Sequence, residues 1–373
     1  MKNSSKIKGV FVCVCVLMIA CSVCSSASYS NIDSYSQEFD FGKITSGISD
    51  ETAEILNELG INEISAESIF SVSISKVFSA LVNMGKNAFS EPLKYLAGAL
   101  GVLLLTSAAL SFNESSVPVS LIGSSVLALA LAVPVANAVT TAFSVLESLC
   151  AFTVGFAGVF GAIVSASGKV ALGTSYASLA VVSNTLISSF LSGFSAPAIN
   201  GMCSLSFLSC FDVYNFNQRV TALIKRVYIS FLGFAATMFS GVVTLKGVMG
   251  AGVDSITSRG VKFVVGRSLP IVGGAVSETY SALVSSLSLI KSTVGIFGIL
   301  TVVITVLPVF LQLGAWVVVL EIIITASTFL DAKNVFGMLN VLKDSLILLM
   351  ATVVFSGVIF VVTVGVVIFV KGV

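Results

Sequence analysis

Histidine is absent from this chain, and only 10% of its residues are charged, against about 25% in ordinary soluble domains. Without histidine the chain lacks the usual general base at neutral pH and the commonest metal ligand. Four of the seven cysteines lie within the first 24 residues, and the other three, Cys150, Cys203 and Cys210, have no metal-ligand spacing and are interpreted as small packing residues. Gly168 and Lys169 do not complete a phosphate-binding loop, because Ile163 replaces its first glycine and Val170 its hydroxyl residue. We therefore expect no enzymatic activity, no metal and no cofactor.

Hydrophobic residues make up 56% of the chain, which is too many for a soluble protein with so few charges. About 20 consecutive apolar residues cross the hydrocarbon core of a bilayer. Seven charge-free stretches have about this length or more: 95–113, 117–146, 149–168, 170–194, 227–245, 292–320 and 345–370. The sequence therefore predicts an all-α, polytopic helical membrane protein in the lipid bilayer, with its membrane domain over residues 92–373. The segment 292–330 could instead form a hairpin, which leaves the side of the C-terminus open.

The first 27 residues have the order of a secretory signal peptide: three lysines, an apolar core, and small residues Ser25 and Ala27 at the cleavage positions. We expect cleavage after Ala27, with a retained signal anchor or a lipoprotein-type cut before Cys21 as the alternatives. Residues 28–91 then form an extracytoplasmic region at the N-terminus. This region carries ten acidic residues against three basic ones, a balance that argues against binding nucleic acid or an anionic lipid surface.

Two helices are predicted in the acidic region. Ser49 precedes two acidic residues and indicates a helix start, and Gly60 indicates its end. A second, amphipathic helix is predicted over residues 65–90, because apolar residues recur there at helical spacing and Pro92 then interrupts the pattern.

The segment 268–290 differs from an ordinary membrane span. Pro270 removes a backbone donor, and a glycine pair loosens the next turn. Freed backbone groups are tolerated at membrane depth only inside protein or beside water, so we expect a broken or re-entrant helix. Ionisable residues in such a segment are usually functional, although here they could instead flank short helices at the membrane surface. The candidate residues are Pro270, Gly273, Gly274, Glu278 and Lys291.

A second broken segment is predicted at 196–210, where Pro197 and Gly201 interrupt a short apolar run. Paired segments of this kind mark the substrate site in transporters that are built from repeats, although the two segments here match only in proline and glycine. Small residues also recur at spacings that favour close helix packing, namely Gly155, Gly158 and Gly161, and Gly233, Thr237 and Gly241.

The run VKFVVGRSLPIVGGAVSET at residues 261–279, with KSTVGIFG from Lys291, resembles the stage III sporulation protein AE family of endospore-forming bacteria. The order of signal peptide, acidic exported region, polytopic body and final apolar helix is similar over essentially the whole chain. The family offers no catalytic residues to transfer. The matched motif positions are Lys262, Gly266, Pro270, Gly273, Gly274 and Lys291.

This resemblance implies a multi-pass protein of the mother-cell membrane, in a complex that joins the mother cell to the engulfed forespore. The implied partners are sister membrane proteins of the same sporulation complex, a forespore protein and a separate ATPase subunit. The expected function is that of a non-enzymatic core subunit of a secretion-like channel, with broken helices lining or gating a passage. The alternative is an ion-coupled or passive small-solute permease, with a site at the Pro197 and Pro270 segments and Glu278 or Lys291 coupling to an ion.

Overall fold

The computed structural model describes residues 44, 47–61, 68, 74–111, 117–209, 216–268, 273–329 and 333–369, and over 247–286 the backbone alone. Within these ranges the regular structure is helical, with no strand. The predicted all-α fold is therefore confirmed. The predicted signal peptide lies outside the described residues.

Helix α1 spans Asp50–Leu59 and is the short helix predicted between Ser49 and Gly60. Gly60 ends it in the left-handed conformation, with φ 87°, and donates its N–H to carbonyl oxygens of the last turn. Leu56 and Leu59 are buried. The helix therefore packs one apolar edge against the rest of the chain, as its sequence predicts.

Helix α2 spans Ile74–Ser111 and contains Pro92. The prediction that a helix ends at Ser90 is therefore wrong, and α2 runs without interruption through the predicted boundary between residues 91 and 92. Proline removes one intrahelical hydrogen bond. Pro92 is buried, however, and packing against neighbouring helices maintains a long helix at such a position.

Helix α3 spans Val117–Ala166 and joins the predicted spans 117–146 and 149–168. Glu147 does not separate them, because glutamate favours helix and this side chain lies exposed on the outer surface. Six described helices are long and apolar enough to cross a membrane, so the prediction of seven spans is corrected. At 1.5 Å per residue α3 is about 75 Å long, more than twice the hydrocarbon thickness.

A tight turn at Gly168, with φ 81°, leads into the second half of the chain. The elements that follow are helix α4 over Val170–Phe190, a π-helical turn over Leu191–Ser195, helix α5 over Ala196–Leu208, helix α6 over Phe216–Ser268, helix α7 over Gly273–Phe329 and helix α8 over Lys333–Phe369. Helices α7 and α8 are antiparallel, because Lys291 contacts Val367 near one end and Glu321 contacts Lys343 near the other.

The interior contains two apolar layers, one after the other along the long helices. The first surrounds Trp316 of α7 and Leu339 of α8. The second surrounds Phe156 and Phe160 of α3 and includes the buried leucines of α1. Helices α2 and α6 lie at the periphery, since their most apolar stretches are 22% and 17% buried, against 56% for α3 and α8. The long helices α3, α7 and α8 therefore form the centre of the bundle.

Candidate functional site

The described part of the predicted broken segment 196–210 contains no break, and the change of helical pattern lies before it. Residues 196–208 are α-helical, and the π-helical turn Leu191–Ser195 connects them directly to α4. A proline at position 197 cannot donate to the carbonyl four residues earlier, which is that of Gly193 inside the turn. The π-helical turn is wider than an α-helical turn, and it accommodates the hydrogen bond that Pro197 cannot make. Turns of this type are frequent at functional sites.

The last residue of the π-helical turn belongs to a buried hydroxyl network. The Tyr228 hydroxyl, on α6, lies 2.6 Å from Ser195 Oγ and 2.5 Å from Thr352 Oγ1 on α8. All three side chains are almost completely buried. The network therefore links the turn before α5, helix α6 and helix α8 through one phenol group.

Helices α5 and α8 make two further polar contacts beside this network. Cys203 Sγ lies 3.3 Å from Ser345 Oγ, and Ser206 donates to the carbonyl oxygen of Met338 at 2.7 Å. The two helices are antiparallel, because residue numbers rise along α5 as they fall along α8. Hydrogen bonds between helices position them in a membrane, where apolar packing does not distinguish a helix from lipid.

An ion pair lies close to the same part of α8. Lys225 Nζ of α6 contacts Asp344 Oδ1 at 2.6 Å, and both side chains are about one third exposed. Lys343, the preceding residue, contacts Glu321 Oε2 of α7, also at 2.6 Å. Because Lys343 and Asp344 are adjacent on α8, the two ion pairs lie at the same height along the bundle, close to the hydroxyl network.

The chemistry of the network is that of neutral hydroxyl groups, each of which can donate one hydrogen bond and accept others. Such groups can orient a polar ligand or couple the positions of three helices. A shift of the π-helical turn would break the hydrogen bond between Ser195 and Tyr228, which joins this turn to α6. The arrangement is therefore suited to positioning and conformational change.

Sequence reasoning missed Ser195, Tyr228 and Thr352. Serine and threonine are frequent in membrane helices and usually bond to their own backbone, so their presence gave no signal. Tyr228 lies at the edge of the predicted span 227–245, which is also typical of an interfacial anchor. Only the three-dimensional structure shows that this tyrosine points inward.

Lys291 is a predicted site residue for which the structure gives both the burial and the hydrogen-bond partner of the side chain. It is 3% exposed, and its ammonium group donates to the carbonyl oxygen of Val367, in the last turn of α8, at 3.2 Å. Carbonyl groups at a helix C-terminus carry partial negative charge and stabilise a cation there. Lys169, in the turn between α3 and α4, lies near enough to repel Lys291.

The hydroxyl network and Lys291 are two separate places. Thr352 and Val367 are fifteen residues apart on α8, which is about 22 Å along a helix.

The two predicted site residues of α5 lie at its surface or near it. Gly201 is partly buried, and a Cβ there would meet nothing within 4 Å. Pro197 is exposed on the same helix.

The remaining predicted residues lie at the junction of α6 and α7. Helix α6 ends at Ser268 and α7 begins at Gly273, so Pro270 lies outside the described residues. Gly274 and Glu278 belong to the first turns of α7, where the structure describes the backbone alone. Their roles in a broken segment stay a prediction.

No group of three metal-ligating side chains occurs among the described residues. Cys150 and Cys203 are free thiols, both partly buried and packed against the first apolar layer. This position agrees with their interpretation as packing residues. Cys210 lies outside the described residues.

Fold and site together define a polytopic, all-helical membrane protein whose internal polar contacts join helices. The family model described as stage III sporulation protein AE matches residues 55–371, so the chain belongs to that family. The family predicted from the resemblance of residues 261–279 is therefore confirmed.

The stage III sporulation protein AE of Bacillus subtilis (strain 168) is 32% identical over 81 residues. That alignment covers 22% of this chain and 20% of the relative, so the chain aligns with about a fifth of that protein's length. No solved structure matches the chain.

Proposed function

We propose that this protein is a non-enzymatic membrane subunit of a secretion-like channel complex that links mother cell and forespore during sporulation. The family supports a sporulation role, and the six apolar helices support an integral membrane position. The proposed partners are other membrane proteins of the same complex, with a separate ATPase subunit supplying energy.

The observation that carries this proposal is the outward face of α6. Gly233, Thr237 and Gly241 recur at the four-residue spacing that brings helix backbones together, and the sequence predicts them as packing residues. All three are exposed, and a Cβ at either glycine would meet nothing within 4 Å. A shallow groove lined by Thr237, Ser240, Gly241 and Thr244 runs along this face. The packing surface therefore points away from the chain itself, as expected for a subunit that packs on helices of other subunits.

Large apolar side chains border this small-residue face. Phe234 and Met238 are 62% and 48% exposed. The Thr237 hydroxyl donates to the carbonyl oxygen of Gly233 in its own helix at 2.9 Å, so it leaves no polar group unpaired. The face therefore has the shape and the polarity that a second transmembrane helix requires.

A small-solute permease is the second candidate function, and the buried hydroxyl network at the π-helical turn favours it. Substrate sites of membrane transporters are typically formed beside interrupted helices. Ser195 and Tyr228 provide such a polar place next to Pro197. Lys291 lies too far along the bundle to belong to the same site.

The proposed location is the mother-cell membrane, with the N-terminus on the extracytoplasmic side after removal of the signal peptide. A cysteine placed at Ser36 should react with a membrane-impermeant maleimide in intact cells. Protection of that cysteine, together with a mature N-terminus at Met1, would contradict this topology.

The substitution Gly241→Leu tests the role as a subunit. Leucine favours helix and fits beside lipid, so the variant should insert and accumulate normally. Its bulk should prevent close helix approach, and the variant should no longer co-purify with the sporulation complex in detergent. Gly98→Leu is the matched control, because Gly98 of α2 is also exposed with nothing within 4 Å of a Cβ, and its neighbours at four-residue spacing, Lys94 and Val102, are not small. Normal co-purification of the Gly241 variant would contradict the proposed packing surface.

A further inference from the structure

The first turns of α6 present a basic stripe to the outside of the bundle. Arg219, Leu223 and Arg226 are all exposed, Leu223 by 64%. Residues three, four and seven positions apart lie on one face of a helix, so these side chains form a single stripe. Thr221 and Tyr228 lie on the opposite side of α6 and are buried in the bundle. The basic stripe therefore faces away from the rest of the chain.

This stripe ends where an apolar surface begins. Arg226 is the last charged residue before the charge-free stretch 227–245. The large exposed side chains that follow are apolar, namely Ile229, Phe231 and Phe234. Exposed apolar side chains on a membrane helix contact lipid or another membrane helix, and basic side chains beside them extend to the polar headgroups. Arg226 therefore stands at the boundary between an apolar and a polar environment.

Helix geometry directs both arginine side chains away from the apolar stretch. In an α-helix each Cα–Cβ bond is tilted toward the helix N-terminus. The N-terminus of α6 precedes Arg219, so the side chain of Arg226 is directed past Leu223 and toward Arg219. Arg219 is seven residues before Arg226, which is about 10 Å further out along the helix. One guanidinium group is therefore placed at the apolar boundary, and the other lies beyond it.

Neither arginine has a hydrogen-bond or ion-pair partner in the part of the chain that the structure describes. The two acidic residues in the described ion pairs already have partners. Asp344 pairs with Lys225, the residue before Arg226, and Glu321 pairs with Lys343. The two arginines therefore add positive charge that no described carboxylate compensates. A guanidinium group can donate two parallel hydrogen bonds to a phosphate group.

We propose that Arg226 and Arg219 bind the headgroup of an anionic phospholipid at this end of α6. Arg226 donates to the phosphate group, while the acyl chains lie along the apolar surface that begins at Val227. A zwitterionic lipid carries a cation beyond its phosphate, where Arg219 repels it. Phosphatidylglycerol has no such cation, and clusters of basic residues at a membrane surface attract anionic lipids. The site therefore selects lipids by charge, a property beyond the proposed role as a channel subunit.

Native mass spectrometry of the purified full-length protein tests this proposal. After incubation with phosphatidylglycerol or phosphatidylcholine in detergent, the wild-type protein should retain several times more phosphatidylglycerol. Arg226→Gln should lower this retention severalfold, because it removes the phosphate donor. Arg219→Gln should mainly lower the preference for phosphatidylglycerol over phosphatidylcholine. Both positions are exposed, and glutamine favours helix, so both variants should fold, and their unfolding midpoints without lipid check this.

Lys86→Gln is the matched control. Lys86 is also an exposed cation on a helix, but it lies on α2, nine residues before the charge-free stretch 95–113. This variant loses one positive charge without changing an apolar boundary, so it should retain phosphatidylglycerol like the wild type. Excess inorganic phosphate should not displace the lipid, because the acyl chains also contact α6.

Four results would overturn the proposal. Equal retention of the two lipids, or of neither, by the wild-type protein would show that the arginines do not select an anionic lipid and are open to a carboxylate of another subunit. Wild-type retention of phosphatidylglycerol by the Arg226→Gln variant would place the lipid elsewhere. An equal loss in the Lys86→Gln variant would indicate a general effect of net charge. Displacement by inorganic phosphate would assign the site to a soluble anion. The measurement uses a single subunit, so none of these results depends on whether Gly241→Leu disrupts the complex.

Discussion

The Tyr228 hydroxyl lies 2.6 Å from Ser195 Oγ, although the two residues belong to different helical segments and are 33 positions apart. Ser195 is the last residue of the π-helical turn, and Tyr228 also contacts Thr352 of α8. The phenol ring is in edge contact with Phe190, at a centroid distance of 5.6 Å. The π-helical turn is therefore held by a hydrogen bond at its last residue and by an aromatic contact at Phe190, the residue that precedes it.

The first prediction concerns this hydroxyl. Tyr228→Phe keeps the ring and removes the hydrogen bonds, so the free energy of unfolding should fall by about 1 kcal/mol, the usual size for a buried hydrogen bond between helices. The measurement is thermal unfolding in detergent. Tyr95→Phe is the control, because Tyr95 is only partly buried and its ring packing on Trp316 is retained. Equal unfolding midpoints for both variants would show that the network contributes nothing.

The second prediction concerns the crossing of α3 and α4. A Cβ at Gly173 would lie 2.6 Å from the carbonyl oxygen of Gly161 and would overlap Ser165 Oγ. Gly173→Ala should therefore force the helices apart and destabilise the protein by about 1 to 3 kcal/mol, as overpacking usually does. Gly158→Ala is the control, since a Cβ there meets nothing within 4 Å. Measured stabilities of the two variants that do not differ would contradict the close crossing.

Several elements could be predicted from local sequence alone. Gly60 ends α1 as predicted, because glycine readily adopts the left-handed conformation that ends many helices, and this preference depends on the local sequence alone. Pro92 and Glu147 were interpreted wrongly as boundaries, because packing of long helices overrides such local preferences. Tyr228 was missed because its partner Thr352 is 124 residues away. The spacing of Gly233 and Gly241 indicated packing, but only the structure shows that both residues are exposed on the surface of the chain.

The third prediction separates channel subunit from ion-coupled permease. The double variant Glu278→Gln, Lys291→Met removes both candidate coupling charges. Methionine matches the length of the Lys291 side chain and removes the cost of burying its charge, and glutamine has nearly the shape of glutamate, so the protein should accumulate normally. As a channel subunit it should restore sporulation to wild-type efficiency in a strain that lacks the protein. Normal accumulation with failed sporulation would favour the permease.

The last prediction concerns the junction at which α6 ends and α7 begins with Gly273. If the conduit requires a helix break at Pro270, Gly273 and Gly274, then Gly273→Leu together with Gly274→Leu should add bulk where backbones approach and extend regular helix. Leucine favours membrane insertion, so protein level should stay normal while sporulation efficiency falls. The pair Gly273→Ala, Gly274→Ala separates packing from gating, because alanine is still small and should be nearly silent if the glycines only pack. Normal accumulation and normal sporulation of the leucine pair would show that this segment neither gates nor lines the passage.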